Sequence, residues 1–222
     1  PMQKLQMDTQ EGKNVEVVAI RGNFDDAQSA VKRIFTDDKT RGELDKNGMM
    51  LSSANSINWG RLAPQIAYYV SAYCDMVKSG AVKMGGKINI CVPTGNFGNI
   101  LAAYIAGKMG LPVNKFICAS NRNNVLTDFF KKGGTYDKNR DFYTTSSPSM
   151  DILISSNLER LLFFASDYDD KLVADLMDKL AQGGSYQVAA DVFAKIEKDF
   201  DAGCCDDTAA AQTIKALWEN EH

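Results

Sequence analysis

Short β-branched runs alternate with apolar stripes at helical spacing along this chain as far as Phe164; after Tyr168 only the stripes remain. Val15-Glu-Val-Val-Ala-Ile20 reads as a buried strand that Gly22 ends. Phe24, Ala27, Val31 and Ile34 then recur at helical spacing, with Asn23 as N-cap, and a charged loop is expected from Thr36 to Gly48. Leu62, Ile66, Tyr69, Tyr73 and Val77 form the stripe of a helix that starts near Trp59. Pro64 suits its first turn and Gly80 its end.

A strand at Lys87-Ile-Asn-Ile-Cys-Val92, a helix over 98–109, a strand at Lys115-Phe-Ile-Cys-Ala-Ser120 and a short helix from Val125 to Lys131 follow. A long polar loop runs from Gly133 to Pro148, and Ser156-Asn-Leu-Glu159 has the pattern of a capping box that opens a helix through Phe164. Alternation of strand and helix predicts an α/β fold, a parallel sheet flanked by helices, over residues 1–167. Residues 168–222 read as an all-helical appendage. Its stripes are Val173, Leu176, Met177 and Leu180; Val188, Val192, Ile196 and Phe200; and Ala210, Ile214 and Leu217, the last started by Asp206 or Asp207.

Composition narrows the chemistry. With 222 residues, 45% hydrophobic and 24% charged, the profile is that of a folded soluble protein. A net charge of −3 gives no support for nucleic-acid or anionic-membrane binding. No run approaches the length of a membrane span and no signal peptide is seen, so the expected compartment is cytoplasmic. Five cysteines without regular spacing argue against a disulfide framework, and no metal site is expected. The only histidine is His222, which removes a Ser-His-Asp triad and any histidine base within the fold. Pro1 and the helical reading of the last residues look like cuts inside a longer polypeptide.

Two segments are candidates for binding. Pro93-Thr-Gly-Asn-Phe-Gly-Asn99 joins the strand at 87–92 to the next helix. A polar turn there presents amides without intrahelical partners, and the helix dipole favours an anion. Gly95 and Gly98 permit close approach, and Asn96 and Asn99 tolerate left-handed backbone. The turn matches neither the dinucleotide fingerprint nor a Walker loop, which leaves a phosphate on a small cofactor or substrate, or a purely structural turn. In Leu51-Ser-Ser-Ala-Asn-Ser-Ile-Asn-Trp-Gly-Arg61, the side chains of Ser53, Asn55, Ser56 and Asn58 gather around the cation Arg61. That set suits a phosphate or an amino-acid headgroup, or equally an Asn/Ser-rich loop that caps the next helix. Asp25-Asp26 read as first-turn acids rather than a catalytic pair.

Taken together, four segments resemble threonine synthase, a pyridoxal-phosphate family. They are Leu5-Gln-Met-Asp-Thr9 with Gly22-Asn-Phe-Asp-Asp-Ala-Gln28; Ser52-Ser-Ala-Asn-Ser-Ile-Asn-Trp59; Pro93 to Asn99; and Ser147-Pro-Ser-Met-Asp-Ile152 with Ser156-Asn-Leu-Glu-Arg160. The resemblance implies part of a tryptophan synthase β-like fold, with pyridoxal 5'-phosphate as cofactor. It implies conversion of O-phospho-L-homoserine and water to L-threonine and phosphate. It places Gly95, Asn96, Phe97, Gly98 and Asn99 on the cofactor phosphate, and makes Ser53, Asn55, Ser56, Asn58 and Arg61 resemble active-site lining. The C-terminal helices are similar to an insertion found in longer members. The family's cofactor-linking lysine lies in a Phe-Lys-Asp segment, and this sequence has none. The chain thus resembles a central portion, with no catalytic residue of its own, expected to be inactive alone and to self-associate through surface left uncovered. The alternative is a non-catalytic phosphate-binding or interaction module derived from such an enzyme.

Overall fold

The computed structural model describes the backbone of residues 2–22 and 24–221 and the side chains of residues 4–22 and 26–220. The expected cap Asn23, the Asp25 side chain and His222 lie outside the described residues. The chain forms two compact units, Pro1–Leu51 and Ser52–His222.

The first unit holds α1 (Met2–Asp8), α2 (Phe24–Thr36) and α3 (Asp38–Lys46). Helix α3 corrects the loop expected over 36–48. The Asp37 carboxylate caps it by accepting from the Thr40 amide at 2.9 Å, and none of its residues is buried. A helix with no apolar stripe escapes a periodicity search. The strand expected at Val15–Ile20 does not form: Val15 makes a single antiparallel bridge with Gly12, while Val18 and Ile20 are 76% and 53% exposed. A β-branched run becomes a strand only where a neighbouring backbone takes its hydrogen bonds.

The second unit begins with α4 (Trp59–Leu62), a 3₁₀ turn at Ala63–Gln65 and α5 (Ile66–Lys78), so the helix expected from Trp59 is present with Asn58 as its cap. Then follow β1 (Ile88–Pro93), α6 (Gly98–Lys108), β2 (Val113–Ser120), α7 (Val125–Lys131) and β3 (Thr135–Asp137). After a 3₁₀ turn at Pro148–Met150 come α8 (Leu158–Ala165), α9 (Asp170–Gly183), β4 (Ser185–Gln187), α10 (Ala190–Asp199), β5 (Phe200–Cys204) and α11 (Asp207–Glu221).

The main sheet is parallel, in the order β1-β2-β5. Phe116, Cys118 and Ser120 alternate on the buried side of β2. Helix α6 is apolar on almost its whole circumference, and Ile100, Leu101, Ala102, Ala103, Tyr104 and Ala106 are all buried. Tyr104 meets Phe116 edge-on at 5.9 Å. Each such large side chain, fully buried, contributes about 1.5–3 kcal/mol.

Residues 168–222 are not helical throughout. Phe200 does not close the α10 stripe; it opens β5 opposite Phe116, and its ring stacks on Phe130 at 5.3 Å and 10°. Spacing of i, i+4 from Ile196 imitates a helical position although the chain has already turned into the sheet. Ser185–Gln187 pairs antiparallel with Thr135–Asp137 from the expected loop, and Tyr136 stacks on Tyr186 at 5.2 Å. The stripes of α9 and α10 are buried as expected at Leu176, Leu180, Val192 and Ile196, whereas Ile214 and Leu217 of α11 are exposed.

Candidate functional site

The turn between β1 and α6 stands at the C-terminal end of the parallel sheet, the end where open α/β sheets bind ligands. Thr94 extends the ladder by one step, donating its amide to the Ala119 carbonyl at 2.9 Å. The chain then leaves the sheet. Phe97 adopts φ 65° and ψ 0°, a left-handed conformation, immediately before the first helical residue. Its side chain is wholly buried, with ring centroids 6.1 Å from Phe130 and 5.9 Å from Phe200. A left-handed residue beside helical ones turns successive amides toward one side, the geometry of an anion nest. Among the described residues the amides of Gly95, Asn96, Phe97, Gly98 and Asn99 donate to no acceptor.

The carbonyls of this turn are held. The Ser155 hydroxyl donates to the Gly95 carbonyl at 2.9 Å. The Asn96 carbonyl accepts twice, from the Asn157 amide at 3.1 Å and from Asn157 Nδ2 at 2.8 Å. Asn99 closes the turn from the other side: its Nδ2 donates to the Pro93 carbonyl at 2.8 Å and its Oδ1 accepts from the Ile100 amide at 2.9 Å. The Asn99 side chain is therefore used structurally, and Phe97 can offer only its N–H. Asn96 Nδ2 donates to nothing among the described residues. Gly95 and Phe97 are buried, whereas Asn96, Gly98 and Asn99 are partly open.

The segment 53–61 is mostly occupied with its own shape. The Ser53 hydroxyl donates to Asn55 Oδ1 at 2.8 Å, and the Ile57 amide donates to the same oxygen at 3.0 Å. Asn58 Nδ2 donates to the Ser53 carbonyl, and Asn58 Oδ1 caps α4 through the Gly60 amide at 2.8 Å. Arg61 Nη1 donates to the Ala54 carbonyl at 3.0 Å. Ser56 alone of this set reaches the turn, through Ser156: the two hydroxyls are 3.2 Å apart, and Ser156 Oγ lies 3.3 Å from Asn96 Oδ1.

Ser156 is thus not a helix cap. Asn157 takes the cap position of α8 without a side-chain cap bond, because both of its side-chain ends are engaged elsewhere. Arg160 donates from Nη1 to Asn157 Oδ1 and from Nη2 to the Ile57 carbonyl, each at 2.6 Å. The capping-box pattern at Ser156–Glu159 does not single out Ser155, Asn157 or Arg160; the available signal is their polarity around the start of an apolar helix.

A second polar cluster lies beside the end of β2. The buried Asp151 carboxylate accepts from Asn121 Nδ2 at 2.7 Å, Asn123 Nδ2 at 3.0 Å, and the Thr145 hydroxyl and amide at 2.7 and 2.9 Å. The buried Ser120 hydroxyl, one residue beyond the partner of Thr94, has no hydrogen-bond partner among the described residues. Burial pushes the Cys118 thiol up to about 12, and the neighbouring Thr94 and Ser120 side chains offset only part of that rise. Among the described residues there is no group of three or more His, Cys, Asp or Glu side chains that could hold a metal, and no helix long and apolar enough to cross a membrane.

No protein-family model matches the chain. It is 44% identical over 217 residues to human threonine synthase-like 1, covering 97% of this chain and 29% of that protein. It is 40% identical over 222 residues to threonine synthase of Pseudomonas aeruginosa, covering 99% of this chain and 44% of that one. The crystal structure of pyridoxal-phosphate-bound threonine synthase from Brucella melitensis superposes with a TM-score of 0.82 at 38% identity, over 99% of this chain and 45% of that one. Yeast threonine synthase gives 0.82 at 36% identity, over 99% and 43%. The chain spans less than half the length of each of these relatives.

Proposed function

We propose that this chain, homologous along nearly its whole length to part of threonine synthase, carries the phosphate cradle of a pyridoxal-phosphate enzyme. The observation that carries the reading is the run of amides from Gly95 to Asn99 at a helix N-terminus, which donate to no acceptor among the described residues. These donors fit a phosphate: they are fixed by bonds to the carbonyls behind them, they need no counter-charge from a side chain, and the rim at Asn96 and Gly98 is open. Asn96 Nδ2 adds a further donor. When bound, the cofactor supplies an electron sink for charge that develops on the substrate carbon skeleton.

The chain's own residues then bind and orient. Gly95, Asn96, Phe97, Gly98 and Asn99 hold the phosphate. Ser56, through Ser156, links the 53–61 loop to the cradle and sets where that loop can meet a substrate, while Ser53, Asn55, Asn58 and Arg61 keep the loop in shape. For the intact protein we propose the conversion of O-phospho-L-homoserine and water to L-threonine and phosphate. Without the Phe-Lys-Asp segment the chain is proposed to bind without turnover. All five cysteines are free thiols, which supports a cytoplasmic setting.

One observation favours a second reading, a phosphate-binding module that does not form threonine: a relative with 44% identity is named only threonine synthase-like. Titrating the chain with pyridoxal 5'-phosphate and with pyridoxal tests the cradle. Binding that depends on the phosphate supports it; equal affinity for both ligands overturns it. Phosphate released from O-phosphohomoserine by this chain alone would overturn the absence of turnover.

A further inference from the structure

We infer that Arg160 strengthens the anion cradle from behind, through Asn157 and the Asn96–Phe97 peptide group. The inference rests on the phosphate reading and assigns it two positioning residues.

Asn157 is completely buried. Its backbone amide and its Nδ2 both donate to the Asn96 carbonyl, at 3.1 and 2.8 Å. Its Oδ1 accepts from Arg160 Nη1 at 2.6 Å. The second guanidinium nitrogen is fixed on the Ile57 carbonyl at 2.6 Å, and no carboxylate forms an ion pair with Arg160 among the described residues. The cation therefore polarises the Asn157 amide rather than neutralising an acid.

The consequence follows from the chemistry of the amide group. Asn157 gives up electron density at Oδ1, so its Nδ2 hydrogens become better donors. The carbonyl that receives them belongs to the same peptide plane as the Phe97 N–H, and that N–H is one of the cradle donors without an acceptor among the described residues. Two hydrogen bonds on the oxygen draw charge from the nitrogen and make this N–H the stronger donor toward an incoming oxyanion. The positive charge thus acts on the phosphate without touching it. The same bonds hold the peptide against rotation at Phe97, whose left-handed φ would otherwise relax. Asn157 and Arg160 are positioning residues and contribute no proton or nucleophile.

The test uses inorganic phosphate as the probe on the full chain, with Arg160→Gln and the near-isosteric Asn157→Asp. Binding is read by titration, and the amide proton shifts of Phe97 and Leu101 by NMR. Leu101 donates to the Phe97 carbonyl at 3.1 Å, so its shift reports the shape of the turn. We expect roughly tenfold weaker phosphate binding in each variant, and an upfield move of the Phe97 amide in Arg160→Gln while Leu101 stays in place. Should Asn157→Asp fail to fold, Arg160→Gln, at a partly open position, still gives both readouts. Phosphate binding by the unaltered chain that the variants leave intact, or a Phe97 shift that does not move, overturns this inference alone. Failure of the unaltered chain to bind phosphate overturns the cradle, and this inference with it.

Discussion

The ring of Phe97 packs against that of Phe130, centroids 6.1 Å apart and 27° from parallel, at the one point where the backbone must turn left-handed to start α6. Glycine would take φ 65° without strain, but a phenylalanine there anchors the turn in the core. Strain of about 1 kcal/mol is outweighed by burial of a ring, whose removal costs about 3–5 kcal/mol. Both Phe97→Ala and Phe97→Gly should therefore destabilise the fold strongly in urea. Glycine should be the less damaging of the two by about 1 kcal/mol, the reverse of its usual rank. An alanine variant as stable as the glycine variant would show that the left-handed backbone is not held in solution.

The two glycines of the proposed cradle should differ in their tolerance. A Cβ on Gly95 would lie 2.9 Å from the Ser149 carbonyl and 3.3 Å from Met150 Cα, both backbone atoms of the 147–151 turn. On Gly98 it would meet Asn157 Nδ2 at 3.4 Å, an ordinary contact. Gly95→Ala should displace the turn and abolish phosphate-dependent binding of the cofactor, while Gly98→Ala should fold normally and lose less. Titration of both variants with pyridoxal 5'-phosphate checks the order; stronger loss at Gly98 would contradict it.

Much of the α/β body was legible in the sequence because apolar period and turn residues agree there. The strands at 88–93 and 113–120, the helix after Gly98 and the turn between them all carry their own signatures, and the resemblance to threonine synthase holds in the comparisons. What escaped had conflicting local signals. Phe200 sits at a helical interval from Ile196 yet pairs as a strand, a choice made by Phe116 and Phe130 from distant parts of the chain. Helix α3 has a cap but no apolar face. Ser56 and Arg61 read as one set, neutral groups around a cation, and only the tertiary contact with Ser156 separates the residue that reaches the 93–99 turn from the one that closes its own loop.

Asp151 should be intolerant of the smallest change. Its carboxylate is surrounded by donors from Asn121, Asn123 and Thr145, so both oxygens must accept. Asp151→Asn keeps the volume but turns an NH₂ group toward a donor, leaving a buried polar pair unsatisfied at a cost of about 1–3 kcal/mol or more. We expect a lower melting temperature and loosening of the 143–151 loop, visible as faster amide exchange at Thr145. A variant with unchanged melting temperature would mean that the site can reorganise around a neutral side chain.

The last prediction concerns alkaline pH. Tyr69 on α5 donates its hydroxyl to the Asn99 carbonyl at 2.8 Å, which ties α5 to the first turn of α6. Burial raises its pKa from 10.0 to about 12, because the phenolate would be poorly solvated there. The folded protein thus holds the proton more tightly than the unfolded chain. Its contribution to stability is complete below pH 10 and is lost as pH rises from about 10 to about 12. Cys118 acts in the same direction, its thiol being raised from 9.0 to about 12 by burial. Urea midpoints measured across this range should fall steeply for the unaltered chain and less steeply for Tyr69→Phe, with the remaining slope due to Cys118 and other groups. Because the phenol bonds to the carbonyl at the edge of the cradle, its ionisation should also loosen phosphate binding before global unfolding. Identical slopes in the two proteins would remove Tyr69 from this role.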